Sequence, residues 1–214
     1  MNKLLSLALA LVMVLSMAAC TSAGDNNGTN DGQNQSNTGN SNDMNQDTGN
    51  NGGSGDQSQA PAGAVEVLQN IWALYGDDEK FFAMGGDSSN PVDNAPGAVD
   101  LKNTEFLTHS LLVPAAEQAN ITEAAALIHA MNANTFTGAV YKVSNAKAFA
   151  AAMKTAVLGN QWICGFPETL LIASVGNGYV VAVYGVNDAI DPFKTHMATA
   201  YPAAELLVNE AITG

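Results

Sequence analysis

The stretch Thr169-Leu170-Leu171-Ile172-Ala173-Ser174-Val175-Gly176-Asn177-Gly178-Tyr179-Val180-Val181-Ala182-Val183-Tyr184-Gly185-Val186 decides the fold. Two apolar runs rich in β-branched residues flank Gly-Asn-Gly, residue types that accept the positive φ values of a tight turn. The pattern predicts a β-hairpin, Thr169 to Val175 against Tyr179 to Val186. Upstream, Ser144 or Asn145 is placed to cap a helix. Phe149, Ala152, Met153, Ala156 and Val157 recur at helical spacing behind it, and Gly159-Asn160 ends it.

A second strand precedes that helix. Thr135 to Val143 is β-branched and aromatic. Ala124 to Met131 reads two ways: its alanines favour helix, but a turn at Asn132-Ala133-Asn134 would pair it with the following strand. The hairpin is the preferred reading. Downstream, Asp188 opens a helix with Ile190, Phe193 and Met197 inward, and Ala203 to Ile212 reads as a last helix. Near the start of the folded part, Val65, Leu68, Ile71, Trp72 and Tyr75 lie on one helical face, with Gly76 at the stop position. Residues 76–100 are turn-rich, and residues 103–118 hold a short helical piece. The expected fold is α+β: a mostly antiparallel sheet of about four strands with helices packed on one face.

The folded part is expected over 62–214, preceded by two segments of other character. Residues 1–19 read as an export signal: Lys3, an apolar run from Leu4 to Leu15, then small residues. The apolar run is too short for a comfortable bilayer span of roughly 20 residues. Met17-Ala18-Ala19-Cys20 resembles the lipobox of bacterial lipoproteins, which implies that the Cys20 sulfur carries a diacylglyceryl anchor. Two acyl chains hold a protein on a membrane far more firmly than one. Segment 20–61 reads as a disordered tether. Between 21 and 60 stand ten Asn, eight Gly, five Ser, five Gln, five Asp and four Thr, too little apolar surface to offset the entropy of ordering.

Charge narrows the partners. Twenty acidic residues face seven basic ones, all lysine, for a net charge of −13. A nucleic-acid binder needs a cationic surface, with arginine forks the usual phosphate ligands. The expectation is no nucleic acid. The partners left are the membrane through Cys20 and a surface protein or small solute.

Four sets of residues are candidates for chemistry. The loop bearing Asp87, Asn90, Asp93 and Asp100, with Asp77, Asp78, Glu79 and Asn94, carries oxygen ligands of the kind calcium takes six to eight at a time. It has no EF-hand spacing, and the competing reading is a solvated loop of local turns. No other metal and no cofactor is implied. Cys164, flanked by Trp162, Ile163, Phe166 and Pro167, is expected to be a buried structural thiol. The alternative is a nucleophile served by His109, His129 or His196. Those histidines lack the close spacing of zinc sites and are otherwise isolated polar residues near element ends. Last, Trp72, Tyr75, Phe81, Phe82 and Trp162 could line a pocket, although Trp72 and Tyr75 sit at core spacing.

The segment from about Ala125 to Met197 resembles a set of uncharacterised bacterial lipoproteins. The matching stretches are His129-Ala130-Met131-Asn132-Ala133-Asn134-Thr135-Phe136-Thr137-Gly138 and Gln161-Trp162-Ile163-Cys164-Gly165-Phe166-Pro167. The strands around Gly176-Asn177-Gly178 and the loop from Gly85-Gly86-Asp87 to Pro96-Gly97 belong to the same likeness. Some members carry the label bacteriocin transport accessory protein, which suggests a thioredoxin-like redox fold. This chain departs from that pattern, because no Cys-x-x-Cys is present. The expected function is an extracytoplasmic, membrane-anchored lipoprotein acting as a non-catalytic binding or accessory module. The alternative is a cell-envelope enzyme or calcium-dependent binding protein using the acidic loop or Cys164.

Overall fold

The computed structural model describes residues 61–213. The expected signal peptide (1–19), the lipidation residue Cys20 and the expected tether as far as residue 60 lie outside the described residues. In chain order the elements are α1 (Ala64–Trp72), β1 (Ala83–Gly85), β2 (Val92–Asp93), β3 (Gly97–Ala98), a π-helix (Phe106–Ser110), α2 (Ala115–Gln118), β4 (Ile121–His129), β5 (Phe136–Val143), α3 (Ala146–Leu158), β6 (Thr169–Gly176), β7 (Tyr179–Gly185), α4 (Asn187–Ala200) and β8 (Glu205–Ala211).

The fold is α+β, built on one open antiparallel sheet. Gly176 pairs with Tyr179 across a two-residue loop, Asn177 at φ 53° and Gly178 at φ 79°. Two successive positive φ values make a type I′ turn, whose twist matches that of the strands it joins. β4 and β5 form the second hairpin, with Ile128 opposite Thr137, which makes Ala124 to His129 strand, Ala130 and Met131 lying in the bend before the turn. The two hairpins join through β5 and β7, with Val140 opposite Val181.

The sheet has eight strands, in the order β2-β1-β4-β5-β7-β6-β8 with β3 beside β4, rather than about four. Three of the added strands are pieces of two or three residues in the turn-rich segment. The fourth, β8, replaces the helix expected over Ala203 to Ile212. Its Ala, Glu and Leu content favours helix. The open edge of β6 decides otherwise, because its backbone donors and acceptors need partners. β8 supplies them, with Ile172 opposite Val208 and Thr169 opposite Ala211.

Helices cover both faces of the sheet, not one. On the first face Val140, Leu171, Val181 and Val183 meet Leu68 and Ile71 of α1 and Ile190 and Phe193 of α4. On the second, Ala139, Tyr141, Ile172 and Val180 meet Phe149, Met153 and Val157 of α3 and Leu107 of the π-helix. The reason is the continuous apolar run of β7, buried at every position. A strand apolar on both sides needs cover on both. Each fully buried Leu or Phe in these layers contributes about 1.5–3 kcal/mol.

Local signals set the ends of α3. Asn145 caps α3, its side chain accepting from the Ala148 N–H at 3.1 Å, and Gly159 follows the last turn. α1 has no side-chain cap of its own. The Glu123 carboxylate on β4 takes that part, accepting the Ala64 N–H at 2.6 Å and the Tyr179 hydroxyl at 2.8 Å. One carboxylate thus satisfies a free helix donor and ties α1 to two strands.

Candidate functional site

The acidic loop is organised around Asp87, which is 3% exposed. Its Oδ1 accepts the N–H groups of Ser89 (2.7 Å) and Asn90 (3.1 Å), and its Oδ2 accepts that of Asp100 at 2.6 Å. Asn90, Asp93 and Asp100 are exposed, and Asp100 turns its own Oδ1 to the Lys102 N–H at 2.9 Å. Asp77, Asp78, Glu79 and Asn94 are exposed as well. Among the described residues no group of three or more His, Cys, Asp and Glu side chains is placed to hold a metal ion. The loop's buried carboxylate serves its own backbone. Gly86, at φ 72°, admits the turn, since a Cβ there would meet the Asn90 carbonyl oxygen at 2.2 Å.

Cys164 is exposed, not the buried thiol that its apolar neighbours suggest. Ile163 and Phe166 beside it are themselves 76% and 63% exposed. The loop stands out from the sheet because the tip of the β4–β5 hairpin holds it by the backbone. Asn132 Nδ2 donates to the Cys164 carbonyl at 3.2 Å, and Asn134 Nδ2 donates to the Ile163 and Gly165 carbonyls at 2.9 and 3.1 Å. Cys164 takes φ 62° and Gly165 φ 130° within this clamp. Apolar neighbours in sequence bury a thiol only when they turn inward, and here only Pro167 does so fully.

The loop, the hairpin tip, the acidic loop and the π-helix enclose a cleft of about 740 Å³. This lies within the usual range of small-molecule sites, roughly 300–1,000 Å³. Met84 and Ile128 come from the sheet, Asp87 and Ser88 from the acidic loop, and Asn160 and Trp162 from the loop after α3. The π-helix contributes Phe106, His109 and Ser110, with Glu105 before it. A π-helix costs hydrogen-bond geometry relative to an α-helix and recurs at functional sites.

Two tethers hold that wall. Asn103 Oδ1 accepts the Phe106 N–H at 3.1 Å, and the Tyr184 hydroxyl donates to the Ser110 carbonyl at 3.0 Å. Burial pushes the Tyr184 phenol up to about 12, partly countered by a hydrogen bond with Thr137, so it remains a donor across the physiological range. Trp162 packs on Tyr184 with ring centroids 5.3 Å apart. Its indole N–H is buried and has no acceptor among the described residues. A buried donor without a partner costs about 1–3 kcal/mol.

Two of the three histidines meet at this cleft. His109 lines it from the π-helix and His129 from the end of β4. His129 Nδ1 accepts the N–H groups of Met131 (3.2 Å) and Asn132 (3.3 Å). His196 lies elsewhere, in α4, with Nε2 3.0 Å from Glu79 Oε2. The aromatic set divides too. Trp162 lines the cleft, Trp72 and Tyr75 join the core of the first face, Phe81 packs against that core and Phe82 is exposed.

No helix among the described residues is long and apolar enough to cross a membrane. Comparison with protein-family models, curated proteins and solved structures returns no match.

Proposed function

We propose that this chain is an extracytoplasmic lipoprotein, anchored in the membrane through acylated Cys20, that binds a small polar solute in the cleft between the π-helix and the Trp162 loop. The observation that carries the binding reading is the cleft itself. It is roomy, walled by Phe106, Trp162 and Tyr184, and supplied with the polar groups of Glu105, His109, His129 and Asn160. No lysine is among its lining residues, so its charge suits neutral or cationic solutes and opposes phosphates and polycarboxylates. Aromatic walls with a few convergent polar groups are the usual build of such sites. The Asn, Gly and Ser content of 20–61 supports a tether that holds the module away from the bilayer.

Two experiments test the two halves. Cells expressing the full chain should incorporate labelled palmitate, and Cys20→Ser should abolish it; equal labelling of the variant would sink the anchor. For the cleft, thermal unfolding of the full chain is followed with N-acetylglucosamine, glucose, betaine and the neutral amino acids in turn. A binder at a hundredfold its Kd stabilises by about 2.7 kcal/mol. That stabilisation should vanish in Trp162→Ala. A response to none of these, or one unchanged in Trp162→Ala, would remove the cleft as the site.

A further inference from the structure

A second, smaller cavity of about 180 Å³ lies on the other face of the sheet, between the loop after α1 and the first turns of α4. At roughly 30 Å³ per water, that is room for about six waters or one small organic ion. Tyr75, Phe81 and His129 supply its aromatic walls, and Glu79 and Asp188 its carboxylates. The Phe81 and His129 rings stack at 5.3 Å with an interplanar angle of 19°, and Tyr75 lies 4.6 Å from the His196 ring. Tyr75 is 5% exposed, yet its hydroxyl has no hydrogen-bond partner among the described residues. A tyrosine hydroxyl buried this deeply usually finds one.

The charges around the cavity decide what could fill it. The Glu79 contacts fall on Oε2, which accepts the Gly76 N–H at 2.9 Å and faces His196 Nε2 at 3.0 Å; Oε1 is not engaged by the described residues. The Gly76 N–H and His196 hold the Glu79 carboxyl below its ordinary range, so it is an anion at neutral pH. No lysine is among the lining residues; the nearby Lys80 ammonium is placed over the Trp72 ring, 6.0 Å from its centroid. The start of α4 could attract an anion, but three of its first four N–H donors are already taken, and the fourth belongs to Asp188, whose own side chain is acidic. Asn187 N–H donates to Glu168 at 2.8 Å, and those of Ala189 and Ile190 donate to the Val186 carbonyl at 3.0 Å each. Aromatic rings and two carboxylates, with no lysine in the lining, suit a positive charge.

We propose that this cavity binds a small organic ammonium ion, with Tyr75, Phe81 and His129 as its walls and Glu79 and Asp188 as its counter-charges. The site is distinct from the cleft of the proposed function, and His129 is the one residue that borders both.

The test is isothermal titration of the full chain with choline chloride, against 3,3-dimethylbutanol as the neutral isostere and sodium chloride as the ionic-strength control. Choline should bind saturably with a Kd in roughly the millimolar range, and the isostere should not. Asp188→Asn, an exposed change that leaves the fold intact by circular dichroism, should weaken choline about tenfold. Tyr75→Phe, which keeps the ring and removes the orphan oxygen, should weaken a hydroxyl-bearing ammonium more than tetramethylammonium. No saturable heat with choline, or equal binding of the isostere, overturns the assignment. So does loss of choline binding in Trp162→Ala with retention in Asp188→Asn, which would move the ion to the cleft.

Discussion

The carboxylate of Asp87 and the backbone N–H of Asp100 meet at 2.6 Å, and that one contact closes the acidic loop on itself. With Ser89 and Asn90 also donating, three of the roughly four acceptor positions of the carboxylate are filled by the chain. Asp87→Ala strands those donors and should lower stability by about 2–4 kcal/mol, read from urea unfolding of the full chain. The same geometry predicts no calcium dependence: the melting temperature should be equal in excess chelator and in millimolar calcium. A calcium-dependent rise would show that the loop rearranges around an ion.

Gly178 ends the type I′ turn at φ 79°, where an added Cβ would lie 2.9 Å from the Val143 carbonyl oxygen. Gly178→Ala should therefore cost about 1–2 kcal/mol from the left-handed backbone alone, with the contact adding to it. Gly176 also has positive φ, but a Cβ added there would meet nothing within 4 Å, so Gly176→Ala should cost less. Urea midpoints of the two variants check the order.

All five tyrosines are held above their ordinary range, with burial the leading cause at each. A phenol with a raised folded value keeps its proton while the unfolded chain, titrating near 10, loses it. Stability is then complete below pH about 10 and declines as pH rises through the folded value. For Tyr184, pushed up to about 12, the full loss is about 2–3 kcal/mol. Phenolate absorbance should rise together with loss of near-ultraviolet circular dichroism between about pH 10 and 12. Independent titration of folded tyrosines near 10 would contradict this burial.

The exposed thiol of Cys164 should react with iodoacetamide in the native state as fast as in urea, within about tenfold. Labelling that requires denaturant would restore the buried reading. Cys164→Ser should leave stability within about 0.5 kcal/mol, as exposed positions do.

The parts of the fold legible along the chain are those whose physics is local. Asn177-Gly178 specifies its turn because two adjacent residues must take positive φ. Asn145 and Gly159 bracket α3 because capping is settled within one turn of helix. The cleft is legible only in fragments: Trp162 stands in the aromatic set and Asp87 in the acidic loop. His109 and His129 give no sign of meeting, since the end of a π-helix, α2 and most of a strand separate them. The signal for Phe106 and Tyr184 is ordinary core hydrophobicity.

By itself the sequence determined the hairpins, the cap of α3, the α+β class and the anionic balance, because turn geometry, capping and charge depend on residues and their near neighbours. Tertiary structure alone decided that β8 is a strand, that helices cover both faces and that the Cys164 loop turns outward. Each depends on a distant partner: the open edge of β6, the second apolar face of β7, and the amides of Asn132 and Asn134. Unpaired backbone groups and uncovered apolar surface are satisfied wherever the folded chain offers a partner, and spacing along the sequence does not record where that is.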